Sequence, residues 1–309
     1  MPFKPLHRTV FKSRQKYNYF AYVWLLPALI LCAVFCLYPV VSAFVTSFTD
    51  SRLGRFGNFV GFQNFADLFS DPVFWICIKN VLIFTSVGII CGNAMTIFLA
   101  ELLHNLRYKH TNGFFKFLFM VPCVVPSIVI LLVWQWCIFN TNGFANQLLA
   151  AFQGESFEPI NWYYQAGPDM FAIIMTNFPW VGGTGFLIYL AGLQSISSEV
   201  YDAAKIDGCS WLRRVVQIDL PLIRPQLKYF FIMGVIGGLQ NFDLQLIITG
   251  SGAGTTNSVN VPGYYLYENA FISDSDRFGY ASAIGVVLFI MTMGIAIYDF
   301  RNKRKGVSL

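Results

Sequence analysis

Polar side chains interrupt an otherwise apolar stretch between residues 226 and 249. They are Gln240, Asn241, Asp243 and Gln245. Amide and carboxyl groups at membrane depth are costly, and they usually face a bundle interior or a water-filled cavity. The other interpretation is a hydrogen bond between helices that only stabilises packing, worth about 0.6 kcal/mol on average. Both interpretations remain open for Gln240 and Asn241.

A second stretch, EVYDAAKIDGCSWLRRVVQIDLPLIRP, is compact and charged. Its charged residues would cost roughly 20 kcal/mol to place across a bilayer, so it must lie against a membrane surface. The spacing predicts one short helix that ends at Gly208 and a second that begins at Ser210, with Pro221 and Pro225 leading into the next apolar block. These features fit either a docking element for another protein or a surface linker that happens to be helical.

No motif in the sequence indicates catalysis or metal binding. The histidines and cysteines are scattered, no CxxC pair occurs, and the sequence contains no metal site and no glycine-rich P-loop. The chain is therefore expected to be neither an enzyme nor an ATPase.

The amino-acid composition predicts membrane-spanning helices, and these helices must position the polar residues described above. Of 309 residues, 56% are hydrophobic and 12% are charged, against about 25% charged in ordinary soluble domains. The apolar residues form six blocks, each long enough to cross a ~30 Å hydrocarbon core as a helix. The sequence predicts a single all-α membrane domain over 1–309 with spans at roughly 20–45, 76–103, 114–139, 169–193, 226–249 and 279–300.

The distribution of Lys and Arg predicts the orientation. Basic residues concentrate in the N-terminal tail, in alternate loops and at the C-terminus, whereas the other loops hold only Arg52, Arg55 and Arg277. Both termini and the loop at 195–225 are therefore expected in the cytoplasm. The net charge of +5 is explained by orientation, and no basic stripe suggests nucleic acid.

The charged stretch resembles a known element. DAAKIDG followed by QIDLPLIRP is similar to the EAA loop of permease subunits in binding-protein-dependent ABC importers, in particular the maltose and multiple-sugar group. WLLPALILCAVFCLYPVVSAFVTSFTD, GFQNFADLFSDPVFW, FLIYLAGLQSI and FGYASAIGVVLF match the same group in the same order. The resemblance covers nearly the whole chain and implies the maltose-type permease fold.

In that family the loop docks on a cytoplasmic ATPase. The resemblance therefore implies that the loop at 195–225 couples ATP binding to the membrane helices, with Asp202 standing where the family usually has Glu. The residues expected to carry the coupling are Glu199, Asp202, Ala203, Ala204, Asp207, Gly208, Arg213 and Pro221.

The resemblance also implies that the fourth and fifth spans line a central sugar cavity. The positions expected to face it are Trp180, Val181, Gly182, Gly185, Gly234, Gly238, Gln240 and Asn241. So many small residues predict a wide cavity and an oligosaccharide, although glycines also let helices pack closely, an alternative that is at least as strong for Gly182 and Gly237. Asp243 belongs to an FD pair that recurs in the family and is expected to be structural.

The implied assembly is a bacterial inner-membrane importer. It would pair this chain with a second, similar permease, two ATPase subunits that bind the ATP, and an extracytoplasmic binding protein that delivers carbohydrate. Membrane lipid surrounds the assembly, and the chain itself needs no cofactor. Alternatives are a permease for a non-sugar solute such as a glycerophosphate, and an ion-coupled secondary transporter. Away from the ends of the predicted spans, Asp243 is the only acidic residue in the sequence that supports the second alternative.

Overall fold

The structure is a computed structural model that describes most of the chain. The residues it describes are 19–106, 109–154, 157–163, 165, 167–176, 178–180, 183–249, 258–272 and 276–304. Over these ranges the chain is helical, with isolated β-bridges only at Thr49–Phe59 and Arg52–Arg55. The basic N-terminal tail and the predicted path residues Val181 and Gly182 lie outside the described residues.

The helices follow one another with short connections. In the first half they are α1 (Tyr19–Cys32), α2 (Tyr38–Thr46), α3 (Gln63–Ser70), α4 (Pro72–His104), α5 (Lys109–Val124), α6 (Ser127–Val133) and α7 (Phe144–Gln153). In the second half they are α8 (Pro168–Met175), α9 (Gly183–Gln194), α10 (Ser198–Ile206), α11 (Trp211–Arg214), α12 (Leu220–Leu222), α13 (Arg224–Gln240), α14 (Asp243–Thr249), α15 (Pro262–Tyr267) and α16 (Phe278–Arg304). Five-residue π-helical segments follow α1, α6, α11 and α15, at Ala33–Leu37, Trp134–Ile138, Val215–Asp219 and Glu268–Ile272.

Among the described residues, four helices are long and apolar enough to cross a membrane. They are Tyr22–Thr46, Pro72–His104, Arg224–Ile248 and Phe278–Arg301. A fifth candidate is the pair Gly113–Val124 and Ser127–Ile138, which is bent by 86°. The bend falls at Pro126, because proline disfavours helical backbone at the residue before it. The predicted total of six spans and the cytoplasmic placement of both termini remain predictions.

The block predicted as the fourth span, 169–193, does not form one continuous helix. It contains α8 and α9, which are separated by residues 176–182. Proline lacks the N–H that an interior helical position must donate, and Pro179 lies in this break, after a cis Phe178–Pro179 peptide bond. Trp180 follows with a φ of 56°, which no α-helix accommodates. A window of average hydrophobicity does not register such a break.

Helix α4 packs against both α9 and α13, which also contact each other. Its start is well defined, because the side chain of Asp71 accepts a hydrogen bond from the backbone N–H of Val73 at 2.8 Å and Pro72 occupies the first turn. The first candidate span is less enclosed: none of its most apolar stretch is buried within the chain, and its second half, α2, packs against α16.

Asp71 also joins α4 to two later helices. The hydroxyls of Tyr265 and Tyr280 donate to Asp71 Oδ2 at 2.5 Å and 2.6 Å. Burial by itself would raise the pKa of Asp71, but these two hydrogen bonds and those from the backbone at Val73 and Phe74 outweigh it and hold the pKa below its ordinary value. Burial and the bond to Asp71 raise the pKa of Tyr265 to about 12.

We expect Asp71→Asn to destabilise the chain by about 1 to 3 kcal/mol, because two tyrosine hydroxyls lose a charged acceptor. The folded-state pKa is lowered, so the carboxylate stabilises the chain above its unfolded pKa of about 4 and ceases to do so as the pH falls through the folded value. Thermal unfolding in detergent should show a deficit at pH 7 that shrinks at acidic pH. Asp50→Asn, at an exposed site, is the control; equal unfolding of the two variants would contradict the prediction.

Candidate functional site

A cavity of about 750 Å³ opens in the middle of the bundle. Its walls come from α4, α6, α8, α9, α13 and α14, with a single residue from α5 and the break at 176–180 completing them. Its volume falls within the range of about 300 to 1,000 Å³ that is usual for small-molecule sites. Its polar lining includes Thr85, Asn93, Thr96, Ser127, Thr176, Trp180, Tyr189, Asn241, Asp243 and Gln245.

The structure brings together most of the predicted path residues that it describes. Those that line the cavity are Trp180, Gly185, Gly234, Gly238 and Asn241. Gln240 does not: it is exposed at the last position of α13, on a different face from Gly234 and Gly238. Asn241 follows the end of α13 in extended backbone, with φ −80° and ψ 129°, so the helical spacing that places Gln240 does not place Asn241.

The glycines of α13 have different surroundings from those expected. A Cβ built on Gly234 would stand 2.7 Å from Ile89 Cγ1, and one on Gly238 would stand 2.7 Å from Thr85 Cγ2. Both positions therefore let α13 approach α4 closely, as small residues do between membrane helices. Gly237, for which close packing was an interpretation at least as strong as lining the cavity, has nothing within 4 Å of such a Cβ and is exposed.

Helix α4 supplies a wall of the cavity that the sequence analysis overlooked. Its lining residues, spaced about one helical turn apart, include Thr85, Gly88, Gly92, Asn93 and Thr96. Asn93 is held in place by Tyr189, whose hydroxyl donates to Asn93 Oδ1 at 2.7 Å. The small and polar residues at 85, 88, 92 and 96 share one helical face, so the 3.6-residue period could have revealed this wall.

Trp180 and Asp243 contribute an indole and a carboxylate to the cavity. The indole Nε1 of Trp180 donates to the carbonyl of Ile174 at 3.2 Å, which fixes the ring against α8. Asp243 was expected to be structural, but its side chain is exposed and lines the cavity. Among the lining residues that the structure describes, Asp243 is the only charged one.

The predicted coupling residues form an exposed surface on the elbow, residues 195–225. Gly208 has a φ of 66° between α10 and α11, as its predicted role at a helix end requires. All the predicted residues except Ala204 are exposed: Glu199, Asp202, Ala203, Asp207, Gly208, Arg213 and Pro221. Ala204 is only 8% exposed and faces the bundle. The apolar side chains of Ile206, Leu212 and Val216 are also exposed, so the elbow presents both charged and apolar groups outward.

Comparison with known proteins identifies the family. Residues 87–306 match the family described as binding-protein-dependent transport system inner membrane component. The chain belongs to this family. The match includes the elbow, the break in the fourth block and the second half of α4, so it covers most of the cavity wall and the whole exposed coupling surface.

Similar proteins match this chain over nine tenths of its length or more. The lactose transport system permease protein LacF of Rhizobium radiobacter is 30% identical over 94% of this chain and 96% of its own length. The sulfoquinovosyl glycerol transport system permease protein SmoG of Agrobacterium fabrum is 32% identical over 90% and 88%. The arabinooligosaccharides transport system permease protein AraP of Bacillus subtilis is 29% identical over 91% and 87%.

A solved structure shares the fold. It is a chain of a bacterial ABC transporter involved in the import of the acidic polysaccharide alginate, with a TM-score of 0.79, 20% sequence identity, and coverage of 94% of this chain and 97% of that one. The chain therefore has the fold of an ABC importer permease and is a multi-pass membrane protein of a transport system that depends on a binding protein.

Proposed function

We propose that the chain is one of two similar permease subunits of a bacterial inner-membrane importer of carbohydrate. An extracytoplasmic binding protein delivers the sugar, and two separate ATPase subunits drive the cycle. The observation that carries the proposal is the cavity, in which amides, hydroxyls and an indole converge. Such groups can donate to, accept from and stack on sugars, and the similar proteins named for lactose and arabinooligosaccharide transport support this substrate class.

The transport step in this proposal is a change between two states of the helix bundle. ATP binding closes the ATPase pair, the exposed elbow follows that movement, and the cavity turns from one side of the membrane to the other. Both termini and the elbow lie in the cytoplasm, and six spans carry the cavity. The chain binds no ATP itself.

The cavity favours an uncharged oligosaccharide over an anionic solute. Asp243 places a negative charge on the wall, and no described lining residue is basic. A unit charge about 4 Å away repels a like charge by roughly 1 kcal/mol in bulk water and about 4 kcal/mol near a protein surface. This repulsion counts against the alternative of a glycerophosphate, and also against an acidic sugar like the alginate of the structural relative.

Import by the complete transporter in proteoliposomes tests the proposal. We expect ATP-dependent uptake of a neutral tetrasaccharide to exceed that of the matched monosaccharide. A preference for the monosaccharide would contradict the proposal of a wide cavity. ATP-independent uptake driven by an ion gradient would instead favour the secondary transporter.

Asp243→Asn should raise uptake of a uronate tetrasaccharide relative to a matched neutral one by about ten-fold, because it removes roughly 1.4 kcal/mol of repulsion. The affinity of the binding protein for each sugar must also be measured, so that an effect on delivery of the sugar can be distinguished from an effect on its transport through the cavity. Asp50→Asn, at an exposed site that does not line the cavity, is the matched control. An unchanged ratio would show that Asp243 does not select against anions.

A further inference from the structure

Arg214 joins the elbow to the C-terminal end of α4. Its Nη2 donates to Glu101 Oε2 at 3.3 Å and to Asn105 Oδ1 at 2.9 Å. Its Nε donates to Asp219 Oδ2 at 3.0 Å. Glu101 is 1% exposed and Asp219 is fully buried. One guanidinium therefore contacts a carboxylate from α4 and a carboxylate from the elbow at the same time, which its fixed fork of donors permits.

Tyr201 brings the first helix of the elbow into the same cluster. Its ring lies under the guanidinium, with 5.3 Å between Arg214 Cζ and the ring centroid. Its hydroxyl donates to Asp219 Oδ1 at 3.0 Å. Burial, and after it the charge of Asp219, raise the pKa of Tyr201, so the hydroxyl stays protonated and keeps donating. Helix α10, α11 and the π-helical segment Val215–Asp219 are thus bound together around Arg214.

Apolar side chains beside this cluster also connect the elbow with α4. Ile223, at the end of the elbow, is 1% exposed and shares a core with Ala100 and Leu103 of α4 and with buried side chains of α9. By contrast, the covalent path from the elbow into α13 passes through the break between α12 and α13 at Ile223. Helix α4, in contrast, continues without a break over 33 residues from the elbow contact to the cavity wall.

We propose that Arg214 makes the elbow and α4 one rigid unit, so that α4 carries the movement of the ATPases to the cavity. This inference rests on the proposed function, because it requires separate ATPases to move the elbow. Glu101 and Asn93 are eight residues apart on α4, which is about 12 Å along a helix. A displacement at Arg214 therefore reaches the Asn93–Tyr189 pair on the cavity wall without crossing a helix break. Arg214 is a positioning residue: it acts through α4.

Arg214→Lys in the assembled transporter tests the link. Lysine keeps the charge but has no planar fork to hold both carboxylates and stack on Tyr201. We expect sugar imported per ATP hydrolysed to fall about ten-fold, within the usual range of coupling between two sites, while ATP hydrolysis stays within about two-fold of wild type. Arg224→Lys, an exposed arginine nearby, should keep the wild-type ratio. An unchanged ratio in Arg214→Lys, or equal loss of hydrolysis and import, would overturn the proposal.

A covalent cross-link between α4 and the elbow tests the proposal even if the transporter with Arg214→Lys does not assemble. Phe98 of α4 and Trp211 of α11 line the same cleft of about 240 Å³. In a chain without its native cysteines, Phe98→Cys and Trp211→Cys can be joined by a short bifunctional thiol reagent. Elements that move as one unit tolerate this tether, so import should continue after cross-linking.

Loss of import on cross-linking would overturn the proposal, because it would mean that the elbow slides along α4 during the cycle. The two single-cysteine variants treated with the same reagent control for simple modification. A transporter that imports no sugar before cross-linking would contradict the proposed function instead, so the two failures are distinguishable.

Discussion

Replacing Gly208 with valine should abolish transport while the chain still inserts into the membrane. Gly208 has a φ of 66°, a left-handed conformation that costs an L-residue roughly 1 to 2 kcal/mol and a β-branched residue more. A Cβ at this position would meet nothing within 4 Å, so the substitution causes no clash inside the chain. The valine acts by straining the turn between α10 and α11 and by placing bulk on the exposed surface where the ATPase is proposed to dock.

Co-purification of the ATPase with the permease measures this effect. We expect the Gly208→Val complex to lose the ATPase and the membrane fraction to keep a normal amount of permease. Gly208→Asn is the matched control, because asparagine tolerates the left-handed region and should retain part of the assembly. Normal transport by Gly208→Val would contradict the proposed coupling role of the elbow.

Replacing Gly238 with leucine should distort the cavity by forcing α13 away from α4. A Cβ on Gly238 would already stand 2.7 Å from Thr85 Cγ2 and 2.9 Å from Thr85 Cβ, closer than atoms in van der Waals contact. Overpacking of this kind typically costs about 1 to 3 kcal/mol. Because both residues line the cavity, we expect a lower unfolding temperature together with a large loss of import.

Gly237→Leu provides an unusually close control for this variant. It introduces the same side chain one position away on the same helix, where the site is exposed and a Cβ would meet nothing within 4 Å. Its stability and import should stay near wild type. Gly238→Ala combined with Thr85→Ala should recover part of what Gly238→Ala alone loses. Equal effects of Gly237→Leu and Gly238→Leu would contradict the close approach of α13 to α4.

The elbow shows how much local sequence can predict. A helix ending at Gly208, a second beginning after Ser210, and prolines in the first turns of the helices that follow all agree with the structure. These features depend on the backbone preferences of single residues, and such preferences act over only a few positions. The apolar blocks are equally local, since burial of about 20 apolar residues in lipid needs no knowledge of a partner helix.

Neighbouring residues of one type could not be distinguished from the sequence. Arg213 and Arg214 are adjacent and identical, yet Arg213 is exposed and donates to Gln217, whereas Arg214 binds a buried carboxylate 113 positions away in the sequence. Gly237 and Gly238 are likewise adjacent and identical, but only a Cβ on Gly238 would contact α4.

The sequence by itself determined that this is a helical membrane protein with a compact charged elbow, because composition and single-residue backbone preferences suffice for that. The tertiary structure alone decided which glycines pack against another helix and which arginine holds the elbow. Each of these depends on how one helix is rotated against another, and that rotation is set by the packing of side chains far apart in the chain.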